Sequence, residues 1–194
     1  MTGAHETVLI LDFGSQYTQL IARRVREQGV YCEIVPFHIS AGDVAARAPR
    51  GVILSGGPDS VYVHGAPRVE RELFELGIPV LGICYGMQLM MLILGGRVAP
   101  APGREYGPAT IRVGRPPDTL LFRGLGEDQR VWASHGDQVL DIAPGFRSIA
   151  SSANAPHAAV EDRDRRLYGV QFHPEVVHTE HGGEVLRNFL FDAS

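Results

Sequence analysis

The first half of the chain alternates two kinds of hydrophobic pattern. Residues 8–11 are a short, unbroken apolar run that stops at Asp12-Phe13-Gly14. Tyr17, Leu20, Ile21 and Val25 then recur at helical spacing until Gly29, which predicts a helix with one apolar face. Residues 31–35 and 51–54 read as a second and a third strand, the third ending at Ser55-Gly56-Gly57-Pro58. Val69, Leu73 and Leu76 predict a further helix, residues 79–83 a fourth strand, and residues 86–94 a strongly apolar helix. Apolar strands of this kind, each followed by a helix, belong to parallel sheets covered on both faces.

From about residue 110 the pattern changes. Short alternating runs occur at 110–113, 131–133, 138–141, 146–151 and 157–160, separated by turn residues. A charged turn at 163–166 leads into a last strand at 167–172, and Val185, Leu186, Phe189 and Leu190 predict a closing helix. The expected fold class is α/β, with a central, mostly parallel sheet flanked by helices and a more antiparallel second half.

Composition narrows the chemistry. A chain of 194 residues with 44% hydrophobic residues suits one compact domain with a real core. A net charge of −4 does not suggest a protein that tracks phosphates or a membrane surface. All 18 basic residues are arginine, so no lysine is available for a Schiff base or a P-loop. Two cysteines, Cys32 and Cys84, are too few for a disulfide scaffold. The polar N-terminus has no apolar signal core, and no apolar stretch is long enough to span a bilayer. The expectation is a cytoplasmic protein.

Gly82-Ile83-Cys84-Tyr85-Gly86 is the most informative segment. A cysteine stands between an apolar strand and an apolar helix, with glycine two residues to each side. The spacing is that of the nucleophile elbow G-x-S-x-G, in which a sharp turn exposes the nucleophile and flanking glycines let backbones approach. A helix beginning at the sulfur favours the thiolate and leaves N–H groups for an oxyanion. The ordinary alternative is a buried packing thiol, and that is the reading for Cys32, which alternates with Tyr31 and Glu33 in a strand.

A thiol nucleophile needs a base, and the base needs an orienting group. His173-Pro174-Glu175 follows the last strand. Residues two apart on an extended chain share a face, and Pro174 favours extension. Glu175 can therefore reach the His173 ring.

With these motifs, the chain resembles the class I glutamine amidotransferases over nearly its whole length. The resemblance implies that Cys84 attacks the side-chain amide of glutamine, that His173 moves protons and that Glu175 orients His173. It also implies an oxyanion hole from the Gly57 and Tyr85 amides. Glutamine would be held by Gln88 and by the segment Ser134-His135-Gly136-Asp137. Taken by themselves, Gln88 is also compatible with a polar helix edge, and residues 135–137 with an ordinary turn.

The segments Ile10-Leu11-Asp12-Phe13-Gly14-Ser15-Gln16-Tyr17, Arg104-Glu105-Tyr106-Gly107 and Trp132-Ala133-Ser134-His135-Gly136-Asp137 are similar to the amidotransferase domains of GMP synthetases. That narrower resemblance implies one amidotransferase domain over residues 1–194, with a core of about 7–191. It places the ATP-pyrophosphatase domain outside this chain, as a synthetase partner that aminates XMP using ATP and magnesium. No cofactor or metal is expected in the amidotransferase domain itself. Two other readings stay open: the amidotransferase subunit of another synthetase, and a partner-dependent module with little activity alone.

Two other motifs compete. Ser55-Gly56-Gly57-Pro58-Asp59-Ser60 fits an ATP-pyrophosphatase loop, but that loop leads straight into a helix, and residues 61–67 are poor helix material. His178 and His181, with Glu175 and Glu180, have spacing a metal could use, yet exposed His and Glu are usually only solvated.

Overall fold

The computed structural model describes residues 7–57, 60–114 and 119–193. Nine strands form one mixed sheet. They are β1 (Thr7–Asp12), β2 (Tyr31–Pro36), β3 (Gly51–Leu54), β4 (Val80–Ile83), β5 (Arg97–Val113), β6 (Asp128–Asp141), β7 (Arg147–Ser151), β8 (Ala159–Asp162) and β9 (Leu167–Val170). The helices are α1 (Thr18–Glu27), α2 (Ala41–Arg47), α3 (Tyr85–Ile93) and α4 (Gly182–Asn188).

The strand order is β2-β1-β3-β4-β9-β8-β7-β5-β6. The first five of these run parallel, and from β9 onward each strand is antiparallel to the next. The change from parallel to antiparallel pairing falls at β9, next to the β4 strand that precedes Cys84.

Alternate residues of each parallel strand supply two separate cores. Val8, Ile10, Ile53, Leu81 and Ile83 pack on one face with Ile21, Ala22 and Val25 of α1 and Val185 and Leu186 of α4. Leu9, Leu11, Val52, Leu54 and Val80 pack on the other, with Val44 of α2 and Met87, Met90 and Met91 of α3. Leu9, Ile10 and Leu11 are all fully buried, each contributing roughly 1.5–3 kcal/mol of transfer free energy. Burial on both faces explains why these strands read as unbroken apolar runs.

Several elements depart from the sequence expectation. The helix predicted around Val69, Leu73 and Leu76 is only a 3-10 turn, Arg71–Glu75, with Leu73 and Phe74 buried. The α2 helix was not legible, because only Ala41 and Val44 of it are buried. Its signal is the cap: the Ser40 hydroxyl accepts from the Asp43 N–H at 3.0 Å. The runs at 131–133 and 138–141 are parts of the single strand β6, which pairs with β5 as a long hairpin arm. The prolines and glycines of β5 hide it. Pro100 adjoins a register shift, and Gly107 takes φ +109°, the irregularities at which such residues are tolerated in a strand. No helix among the described residues is long and apolar enough to cross a membrane.

Candidate active site

Parallel strands gather their C-terminal ends on one edge of the sheet, and ligands of open α/β sheets bind there. In this fold that edge carries Asp12-Phe13-Gly14 after β1, Ser55-Gly56-Gly57 after β3, Cys84 after β4 and Gln171-Phe172-His173 after β9. Phe13 N–H donates to Ser55 Oγ at 3.0 Å, joining the first two segments.

Cys84 has φ +51° and ψ −105°, a conformation that costs a non-glycine residue on the order of 1–3 kcal/mol. The turn is held by Cys84 N–H donating to Val170 O at 2.8 Å and by Gln88 N–H donating to Cys84 O at 3.1 Å. The glycines of the elbow are sterically required. A Cβ on Gly82 would lie 2.6 Å from Met87 N, and one on Gly86 would lie 2.5 Å from Leu54 O. A Cβ on Gly57 would meet the Tyr85 ring at 2.9 Å. That ring is buried, with its hydroxyl donating to Pro67 O at 2.6 Å. Tyr85 begins α3 directly after Cys84.

His173 Nδ1 and Glu175 Oε1 are 2.7 Å apart, and both side chains are buried. Burial works against charge on the imidazole, but the hydrogen bonds and charges of Cys84 and Glu175 outweigh it, and His173 is pushed up to about 10. The ring is therefore held as an imidazolium beside the sulfur, the state that favours a thiolate. The backbone around it is tied down. Thr179 Oγ1 donates to His173 O at 2.6 Å and accepts from Trp132 N–H at 3.0 Å. Arg24 Nε donates to Glu175 O at 2.9 Å. Tyr17 sets its ring edge-on to His173, with centroids 5.3 Å apart.

Cys84 stands where two cavities meet. The first, about 540 Å³, is lined by Gly57, Ser60, Tyr62, Tyr85, Gln88, Tyr106 and the 134–137 segment as well as Cys84. The second, about 320 Å³, is lined by residues 14–17, Gly57, Tyr106, Ser134 and His173, again with Cys84. His173 lines only the second.

Within the first cavity, Gln88 Nε2 donates to Asp137 O at 3.1 Å and to Gln171 Oε1 at 3.2 Å, which leaves its Oε1 as an acceptor. The Asp137 carboxylate accepts from Ser60 Oγ, and from the Tyr62 hydroxyl at 2.8 Å, tying the loop after β3 to β6. The His135 ring faces inward. Its Nδ1 lies 2.9 Å from Asp137 O, and its Nε2 lies 3.1 Å from Glu105 Oε2. The 134–137 segment is thus held in place along the cavity by hydrogen bonds of its own His135 and Asp137 side chains.

Every site residue expected from the sequence is brought to this one edge: Cys84, His173 and Glu175 together, Gly57 and Tyr85 beside the sulfur, Gln88 and residues 134–137 along the first cavity. Gln171, Tyr17, Ser60 and Tyr62 join the site without a role there expected from the sequence. Tyr17 lay within the motif after β1, whereas Gln171 carried no local signal.

The other candidates resolve differently. Cys32 is buried, its Sγ near Ala22 O at 3.5 Å, and burial pushes its thiol up. His178 packs its ring at a tilt against Trp132, with ring centroids 4.8 Å apart, and His181 faces Glu184 at 3.8 Å. Glu175 is engaged with His173. Pro58 and Asp59 of the pyrophosphatase-like loop lie outside the described residues. Ser60 begins a series of turns, and the next helical element is the 3-10 turn at Arg71.

The chain is similar to glutamine-hydrolysing GMP synthases and to other glutamine amidotransferases. The GMP synthase (glutamine-hydrolysing) of Caldanaerobacter subterraneus subsp. tengcongensis is 57% identical over 188 residues, covering 96% of this chain and 36% of that protein. The enzyme of the same name from Staphylococcus carnosus is 55% identical over 190 residues, covering 98% and 36%. The chain thus spans about 36% of the length of these curated relatives. The crystal structure of a GMP synthase subunit from Thermoplasma acidophilum superposes with a TM-score of 0.83 at 30% identity, covering 96% of this chain and 93% of that one. A glutamine amidotransferase from Thermotoga maritima, 20% identical with a TM-score of 0.72, shares the fold over 97% and 98% of the two chains. The family description "Glutamine amidotransferase class-I" matches residues 9–193. With that match and the mixed sheet carrying Cys84 at its elbow, the chain belongs to the class I glutamine amidotransferase family.

Proposed function

We propose that this chain hydrolyses glutamine to glutamate and ammonia, and that the ammonia goes to an ATP-dependent synthetase partner that aminates XMP to GMP. The observation that carries the reading is Cys84 on a strained elbow, lining one cavity with a His173 that is itself bonded to Glu175 at 2.7 Å. The names of the relatives support a GMP-forming synthetase as the receiver of the ammonia.

The chemistry runs in two halves. Glutamine enters the first cavity with its amino-acid end toward Gln88 and residues 134–137. The free Gln88 Oε1 is a suitable acceptor for the α-ammonium, and backbone N–H groups suit the carboxylate. Cys84 Sγ attacks the side-chain amide carbon, and the Gly57 and Tyr85 N–H groups receive the oxyanion. His173 passes its proton to the amide nitrogen, the C–N bond breaks, and ammonia leaves with a glutamyl thioester behind it. Water then attacks the thioester, giving its proton to His173. The C–S bond breaks, and glutamate departs with the thiolate–imidazolium pair restored. His173 lines the second cavity, so water arrives and ammonia leaves on that side. The chain needs no cofactor of its own; ATP and magnesium act in the partner.

Ammonia release from glutamine, measured with and without the synthetase partner, tests the proposal. Cys84→Ala and Cys84→Ser should abolish it. Release that survives Cys84→Ala would sink the mechanism, and recovery of a different synthetase as the stable partner would sink the GMP assignment.

A further inference from the structure

The register of the two central strands brings one more group to the nucleophile. Parallel β4 and β9 set Ile83 beside Val170, so the next residue of each strand, Cys84 and Gln171, leaves the sheet at the same level. Gln171 is only 2% exposed, and its Nε2 lies 3.6 Å from Cys84 Sγ.

An amide can turn either end to a sulfur, and its neighbours must decide which. Here a backbone carbonyl decides. Asp137 O can only accept, so Gln88, 3.1 Å away, presents its NH₂ to it. The second hydrogen of that NH₂ points at Gln171, 3.2 Å away, and requires an oxygen there. Gln171 therefore turns its own NH₂ to the sulfur. Reversing either amide would set two donors or two acceptors face to face in a buried place.

We propose that Gln171 is a catalytic residue, a neutral hydrogen-bond donor that holds the Cys84 sulfur as a thiolate. An N–H fixed on a sulfur stabilises the anion more than the thiol. Its use differs from that of His173. The imidazolium gives its proton to the departing ammonia and cannot stay committed to the sulfur, whereas the amide never titrates. Gln171 stays on Sγ through thioester formation and meets the negative charge again when the C–S bond breaks. Ser134 O lies as close to Sγ, at 3.6 Å, and accepts from the thiol, so the Gln171 N–H is the contact that favours the anion. The other charged or titratable groups near the sulfur are His173 with Glu175 behind it, His135 and Asp137 along the first cavity, and the hydroxyls of Tyr17, Tyr62, Tyr85 and Tyr106.

Two variants test this. Gln171→Met keeps the length and removes the donor, and Gln171→Glu keeps the shape and sets a carboxylate against the sulfur. The readout is the rate of Cys84 alkylation by iodoacetamide across pH, located by peptide mass mapping, together with kcat and KM for glutamine. The midpoint of the Met variant's alkylation profile should lie about one pH unit above that of wild type, a roughly 10-fold effect and the size of one hydrogen bond to a charged group. The midpoint of the Glu variant should lie higher still. All should converge with wild type at strongly alkaline pH, where the thiol ionises unaided. The kcat should fall in the same order, whatever the loss of the Gln88 contact does to KM.

An alkylation profile in the Met variant that superposes on wild type overturns the proposal. So does a raised KM with an unchanged profile, since Gln171 would then act only by propping Gln88. If the Met variant unfolds, the Glu variant is read by itself against the same outcomes. The inference rests on the proposed glutaminase reaction only through kcat. Alkylation needs no glutamine, so a wild-type chain that fails to hydrolyse glutamine defeats that reading and leaves this test intact.

Discussion

Replacing Gly82 by alanine tests whether the elbow is set by backbone contact. The added Cβ would lie 2.6 Å from Met87 N and 2.7 Å from both Gly86 C and Met87 Cα. All three are backbone atoms of the first turn of α3, so no side-chain rotation can relieve the clash. Restoring an ordinary contact of 3.4 Å or more moves that turn away from β4 by about 0.8 Å. Overpacking of this kind costs about 1–3 kcal/mol. At about 2–4 °C per kcal/mol for a domain of this size, the variant should melt several degrees lower and still fold. The turn carries Cys84 and the Tyr85 N–H, and a displacement near 1 Å at reacting atoms costs on the order of 10²-fold. Steady-state glutamine hydrolysis should therefore lose on the order of 10²-fold in kcat, with KM much less affected. Circular dichroism and a melting curve on the same sample would separate misplacement from unfolding. A folded Gly82→Ala enzyme with wild-type kcat would refute the argument.

Three further outcomes are expected. Because His173 is raised from its ordinary 6.5 to about 10, its imidazole NMR signals should stay those of the cation through neutral pH and titrate near 10 in wild type, and titrate lower in Glu175→Gln, which loses one of the charges that raise it; wild-type signals that titrate near 6.5 would refute the pairing. Glu175→Gln keeps the shape but removes the charge that holds the imidazolium, and should lower kcat by roughly 10²–10⁴-fold with little change in KM, measured as ammonia release. Asp137→Ala frees Ser60 and Tyr62 from β6; the expected result is a rise in KM of roughly 10-fold, one or two hydrogen bonds' worth, with kcat largely kept, and an unchanged KM would show that the clamp does not shape the cavity.

The parallel half of the sheet could be read directly from the chain because its strands are buried on both faces. Val8 to Leu11 must be apolar at every position to enter two cores at once. The elbow was legible for a related reason. Gly82 and Gly86 stand where backbones come too close for any side chain, so the glycines mark the contact in the sequence itself. The antiparallel arm was not legible. In β5 the prolines and glycines that signal loops are accommodated by the register shift and by pairing with β6, and that pairing is a long-range fact. The 3-10 turn at Arg71–Glu75 has apolar spacing like a helix, yet closes after five residues. Spacing says which face is buried and says little about how far a helix runs.

The sequence by itself singled out Cys84, His173 and Glu175 as the proposed nucleophile, base and orienting acid, because each sits in a local motif whose spacing has a steric or conformational reason. It also determined which half of the sheet would be parallel. Only the tertiary structure decided what surrounds the sulfur. Cys84 and Gln171 are 87 residues apart and meet because β4 and β9 are adjacent and in register. The direction of the Gln171 amide is set from Asp137, through Gln88, by hydrogen bonds between segments far apart in the chain. Both cavities at Cys84 are walled in part by Tyr106 of β5 and Ser134 of β6, residues far from the elbow in the chain. Local spacing records what neighbouring residues must do for each other, whereas the pairing of distant strands follows from the packing of the whole sheet and leaves no signature in any single segment.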